Sequence, residues 1–395
     1  YDQLISQANA YITRTSHAME LFSVPGYYEN AYGHIEESKK LAWDAYAAYS
    51  CAMAYKFSDN TDYADAAIVI LNSWADINIG FGSGYDSKLV MATSGTGMVL
   101  AAELLHGYSG WSTPDFNSFK SWVEDVFLVA CTEIDDWTNN WGAWGIMGAL
   151  NAAYFLDDTA LFASEVTKLK NKINSSINSD GSMPLETARD VNGIWYTYFA
   201  LAPMTASCQI IKNATGENLF NWTSTGGKTI KKALDYLFYY TQHSRQWPHD
   251  PDPYNFDNPN YNLWPTNLFE AMSGVYESSS YADYVAPFRD VGVLGGLHPQ
   301  RGPHHFAWMF PTLTNSGSSS SIFSDTFGDG NALGWSQSGG SWSVTTDSNP
   351  SYTQQSTTAV GAKSNILQPS WSDYEYYARN KVTEFNSSSH GGIGL

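Results

Sequence analysis

The chain is poor in charge, poorer still in positive charge, and nearly without cysteine. Of its 395 residues only 15% are charged, with 20 Lys and Arg against 39 Asp and Glu, a formal net charge of −19. A chain so short of cations cannot neutralise many phosphates, so no nucleic-acid partner is expected. A polyanion of another kind would need a cleft whose local charge opposes the global sign. No run of 18 or more apolar residues is present, so no membrane partner is expected either. The three cysteines, Cys51, Cys131 and Cys208, sit in apolar surroundings at spacings unlike a zinc site. Buried thiols are the expectation, with one disulfide and an odd thiol as the alternative. The chain opens at Tyr1 without an initiator Met or a signal peptide, as a mature secreted form or a trimmed chain would.

Aromatic residues are abundant instead, with 15 Trp, 26 Tyr and 19 Phe. Few charges and many aromatics are common in secreted proteins that handle carbohydrate, because sugars stack their C–H faces on aromatic rings. Sequons at Asn174, Asn213, Asn221 and Asn386 permit N-glycosylation in a eukaryotic secretory route.

The length fits one large domain plus a smaller one. Residues 1–314 carry helical patterning, with helices expected near 36–59, 61–77, 94–108, 114–134, 139–158, 158–177, 193–213, 227–244 and 261–279. Some of these are amphipathic and others apolar nearly all round, and a helix of the second kind is buried on every side. Alternation of the two kinds predicts two layers of helices, an incomplete α/α toroid. A Ser/Gly linker follows at 315–321. Residues 322–395 alternate polar and apolar positions between Gly, Asn and Asp turns, which predicts part of a β-sandwich of jelly-roll type, cut off inside a strand-like run. The fold class expected is therefore mainly α, and the protein is expected to be a monomer.

Four places carry residues suited to chemistry. "NNWGAWGIMGALNAAYFLDD" (139–158) opens an apolar helix with two amides and two indoles. Thr138 or Asn139 suffices as a cap, so Asn140, Trp141 and Trp144 exceed what folding asks for. At a helix N-terminus an amide can bind a carboxylate without a competing charge; alternatively Asn140 satisfies loop backbone and the indoles are core. In "DGSMPLETARDVNGIWYTYFALAP" (180–203), Arg189 and Tyr196 stand seven apart, on one face if helical geometry holds. A cation there would lower the phenol's pKa; alternatively Arg189 pairs with Glu186 and Tyr196 is core. His34, His249, His304 and His305 form a third group, with 247–265 a Pro-rich aromatic loop of the kind that lines sites. In "EIDDW" (133–137), Asp135 and Asp136 would suit a glycosidase, or else a solvated helix end.

The two longer segments, in this order and spacing, resemble the alginate lyase-like family of polysaccharide lyases, α/α toroids that cleave uronic-acid polymers by β-elimination. The resemblance spans most of residues 30–310. It implies catalytic roles for Asn140, Arg189 and Tyr196, an anionic polysaccharide substrate such as mannuronate-rich alginate or glucuronan, and no metal or organic cofactor. Many alginate lyases place His directly after the Asn; here Trp141 stands there, as in related chondroitin lyases. His249 would then supply the missing base, with His34 and His304 the other candidates, and Asn139, Trp141, Trp144, Trp195, His34 and His304 would bind substrate. The C-terminal stretch is similar to the opening of concanavalin-like sandwich domains. An α/α-toroid glycoside hydrolase using Asp135 and Asp136 or acids of 250–257, and a non-catalytic glycan-binding protein, are the rival readings.

Overall fold

A helix with no polar face has to be surrounded, and four such helices form the inner layer of the structure. They are Ala31–Ser58, in which every residue from Asp44 to Ala54 is buried, Thr96–Leu104, Asn140–Phe155 and Gly193–Thr215. Amphipathic helices flank them: Thr61–Ile77 packs on the first, Thr159–Ser176 on the third and Ile230–Gln242 on the fourth. Within the inner layer each helix touches the next, so the core runs continuously between the two layers. This is the expected α/α toroid. The computed structural model describes residues 1–249, 265–288, 297–298 and 302–314, and beyond them 332, 335–339, 341–345, 351–354 and 363–365.

Two expected helices differ in the structure. The helix expected at 94–108 is found at Thr96–Leu104 and is preceded by a π-turn at Met91–Gly95 and by Ser87–Val90, while 114–134 becomes Thr113–Trp122, a π-turn at Val123–Phe127 and Leu128–Thr132. Each π-turn admits an extra residue that shifts the apolar face in register, which side-chain periodicity does not announce. Among the further elements that were not expected are a helix at Asp2–Tyr11, another at Ser279–Val285, and a parallel pairing of Leu21–Phe22 with Gly80–Phe81.

The third inner helix owes its close packing to Gly142, Gly145 and Gly148, spaced three apart along one face. A Cβ on Gly142 would lie 2.0 Å from the Trp137 carbonyl oxygen, and one on Gly145 would lie 2.6 Å from the Cys131 oxygen. The 131–137 turn therefore rests directly on the helix backbone. All three cysteines are buried and free.

The chain divides into two units, Tyr1–Ser318 and Ser319–Leu395. In the second, Ser336–Ser338 pairs antiparallel with Lys363–Asn365, and Trp342–Thr345 with Ser351–Gln354. The 315–321 linker, Asn386 and most of the expected concanavalin-like sandwich lie outside the described residues. Among the described residues no helix is long and apolar enough to cross a membrane.

Asp44 ties the N-terminal arm to this frame. Fully buried, it accepts from Arg14 Nε at 2.9 Å, Ser16 Oγ at 3.1 Å, the His17 N–H at 2.6 Å and Trp74 Nε1 at 3.0 Å. Removing a buried carboxylate strands its buried donors and the Arg14 charge. Asp44→Ala should therefore cost about 3–5 kcal/mol of unfolding free energy in urea, well beyond the effect of a surface substitution.

Candidate active site

Asn139 caps the third inner helix, its Oδ1 accepting the Trp141 N–H at 3.1 Å. Asn140 is thus free of that duty and turns inward. It is wholly buried, and its Nδ2 donates to Glu186 Oε2 at 2.7 Å. Lys172, from the neighbouring outer helix, donates to the carbonyls of Trp137 at 2.6 Å and Asn139 at 2.5 Å, closing the turn before the helix. Burial raises Glu186 to about 6, although Asn140, Lys172 and Arg189 all pull it down. Burial likewise lowers Lys172 to about 8, opposed by Glu186.

Arg189 and Tyr196 meet, but not through continuous helical geometry: Arg189 precedes a 3-10 turn at Asp190–Asn192, and the helix that carries Tyr196 begins only at Gly193. Arg189 Nη2 lies 3.2 Å from the Tyr196 hydroxyl, and the guanidinium carbon sits 4.1 Å from the centre of that ring. The residue after Arg189, Asp190, turns through a left-handed φ of 50°, a conformation that costs an L-residue roughly 1–2 kcal/mol. A third group was missed from the sequence. The Tyr28 hydroxyl lies 2.7 Å from that of Tyr196 and accepts from Arg189 Nη2 at 3.1 Å. Tyr28 comes from a loop 161 residues before Arg189 and carries no motif. Its loop is held by His34, whose Nδ1 lies 3.1 Å from the Pro25 oxygen and 3.0 Å from Asp86 Oδ2, while Asp86 accepts the Tyr27 N–H at 2.8 Å.

The phenol of Tyr196 corrects an expectation. Burial, and then the hydrogen bond with Tyr28, push its pKa up; Arg189 opposes this without reversing it. The alternative pairing of Arg189 with Glu186 is not seen as a hydrogen bond either, since that carboxylate accepts from Asn140.

A model of the alginate lyase family matches residues 6–247, more than half of the chain. The chain belongs to the alginate lyase family. No protein of curated function matches it in sequence. Among solved structures it is similar to an alginate lyase from Bacteroides ovatus, with a TM-score of 0.57 and 19% identity over 73% of this chain and 88% of that one. It is also similar to alginate lyase A1-III from Sphingomonas species A1, with a TM-score of 0.58 and 15% identity over 70% and 84% of the two chains. A tetrasaccharide complex of a variant of A1-III aligns with a TM-score of 0.58 and 16% identity, over 70% and 85%.

Within this alginate lyase-family frame the remaining expected residues separate. Trp144 has no exposed surface and packs at 5.0 Å against both Phe199 and His305. A ring without a free face offers nothing to a sugar, so the expectation that it binds substrate gives way to a core role. Trp141 is stacked on Trp137 at 4.6 Å and flanked by Tyr85 at 5.5 Å. The accessible rings of that cluster are Trp137 and Tyr85, 40% and 62% exposed. Trp137 belongs to the same "EIDDW" segment as Asp135 and Asp136. Trp195 stacks on Phe199 at 4.6 Å and meets Tyr196 and His304 edge-on.

His249 joins Tyr236, at 3.2 Å from that hydroxyl, and the Trp247 ring; none of these contacts includes Asn140, Arg189 or Tyr196. His305 is buried against the Tyr198 hydroxyl at 2.9 Å, and burial lowers it to about 3. Asp135 is buried with Lys168 Nζ 2.7 Å away, whereas Asp136 points to solvent. The two aspartates do not face each other across an open cleft as a glycosidase requires. The acids at 250–257 lie outside the described residues. As a check on the core role, Trp144→Phe should lower stability by about 1–3 kcal/mol through the void it leaves, yet keep KM for polymer within two-fold.

Proposed function

We propose that the chain cleaves a polyuronate by β-elimination, with Tyr196 handling the proton and Asn140 and Arg189 neutralising the substrate carboxylate. The observation that carries this is the convergence of Arg189 Nη2 and the Tyr28 hydroxyl on the Tyr196 hydroxyl, beside a helix that opens with Asn140. The C5 proton of a uronate is weakly acidic because its carboxylate resists a second charge. Hydrogen bonds to that carboxylate stabilise the enolate-like transition state, and each preorganised donor contributes roughly 3–4 kcal/mol. Tyr196 takes the C5 proton, the C4–C5 double bond forms, the C4–O4 bond breaks, and the same hydroxyl returns the proton to O4.

One residue serves both steps only where H5 and O4 lie on one face of the ring. That geometry belongs to D-mannuronate and D-glucuronate, and we read the substrate as one of these. L-guluronate needs a second base opposite, and Trp141 occupies the position where a His would stand. The polymer would lie along Trp137 and Tyr85, whose exposed rings continue from the Asn140 end of the helix. The net charge of −19 opposes such a substrate at long range, and Arg189 together with the helix N-terminus supplies the local positive field.

Incubation with polymannuronate, polyguluronate and glucuronan separately, followed by ultraviolet absorbance, tests this. A rise with polymannuronate or glucuronan and none with polyguluronate is expected; reducing ends without absorbance would mean hydrolysis. Because the Tyr196 pKa is raised, its basic form is scarce near neutrality, so kcat/KM should climb with pH from 7 towards 10. Asn140→Ala and Tyr196→Phe should each lose at least about 100-fold in kcat. Trp137→Ala should raise KM about 3- to 10-fold, the equivalent of one lost stacking contact, and leave kcat unchanged.

A further inference from the structure

Asn140 is held by a group that its proposed task does not require. An ionised carboxylate has acceptors only, so Glu186 compels the amide to present Nδ2 rather than Oδ1. We propose that Glu186 is a positioning residue: its buried carboxylate fixes the Asn140 amide, holding one N–H inward and leaving the second for the substrate carboxylate. The inference rests on the reading of Asn140 as a carboxylate-binding residue, and because Asn140 has no exposed surface it requires the side chains covering that amide to move aside when substrate binds.

Three features support it. Asn140 and Glu186 are both nearly devoid of exposure, and they bond at 2.7 Å, so water does not compete. The turn entering the helix is fixed also by Lys172 and by the Gly142 contact with the Trp137 carbonyl, so the backbone contact that Glu186 makes at Asn140 is one of several holding it. Asn140 Oδ1 is buried and has no hydrogen-bond partner. Nothing on that side orients the amide, which leaves its orientation to Glu186. The charged and titratable groups that act on Glu186 are Lys172 from Thr159–Ser176 and Arg189 beside its own turn, and Tyr196 from Gly193–Thr215 feels its charge in return. Both cations keep the carboxylate ionised at neutral pH.

Protonation removes the constraint, because a carboxyl group can donate to the amide oxygen as readily as it accepts from the nitrogen. With Glu186 titrating at about 6, the ordered amide is the form above that pH and is lost below it. A misplaced catalytic donor costs on the order of 100-fold in rate.

The test compares wild type with Glu186→Gln, Glu186→Ala and Asn140→Ala on polymannuronate, following the new double bond from pH 5 to 9. Glu186→Ala should lower kcat by about 100-fold while KM changes less than three-fold. Glu186→Gln preserves shape and should remain folded by thermal unfolding. Below about pH 6 wild-type kcat should fall more steeply than the Tyr196 dependence alone gives, and that added steepness should be absent in Glu186→Gln. Added steepness that persists in Glu186→Gln overturns the proposal, even with Asn140→Ala inactive, and leaves the reading of Asn140 standing. If Asn140→Ala is as active as wild type, the reading of Asn140 fails first and takes the proposal with it.

Discussion

The hydrogen bond between Asn140 and Glu186 is the contact on which the site's organisation turns. It joins the start of one inner helix to the segment that carries Arg189 and leads into the next inner helix, where Tyr196 lies. Those two helices pack along their length, and the bond links their ends. Being buried, it is strong in a way that the same pair at a surface would not be, since no water competes for the carboxylate.

Around this bond the structure keeps its charges in buried, paired form. Glu186 is balanced by Lys172 and Arg189, Asp44 by Arg14, and Asp135 by Lys168. Each pair costs desolvation and regains it only while both partners are present. An acidic chain thereby keeps part of its negative charge inside matched clusters. The candidate site can then present Arg189 and a helix N-terminus to an anion despite the global sign.

The Tyr28 hydroxyl adds a second constraint. Two phenols and a guanidinium share one small network, and burial holds the Tyr196 proton firmly. Such a phenol keeps its proton at neutrality, and it becomes a base only as the surrounding field turns more positive or the pH rises. The His34–Asp86 link to the Pro25–Tyr28 loop ties this network to the first inner helix, so a histidine that looked like a substrate ligand serves to place another residue.

What the sequence by itself determined is local. Apolar helices alternating with amphipathic ones forced a two-layered helical fold, because a helix without a polar face must be enclosed. Asn139 as the cap left Asn140 available, whereas the turn at Asp190, and not helical spacing, brought Arg189 to Tyr196. The π-turns at 91–95 and 123–127 escaped notice because they change register without changing composition. Only tertiary structure decided the rest. It brought Tyr28 to Tyr196, gave the Glu186 hydrogen bond to Asn140 while Arg189 acts on that carboxylate by charge, buried Trp144 and exposed Trp137. It also raised the phenol that a neighbouring cation was expected to lower. These outcomes depend on which surfaces lose water when distant segments meet, and desolvation is not encoded in the spacing of any one segment.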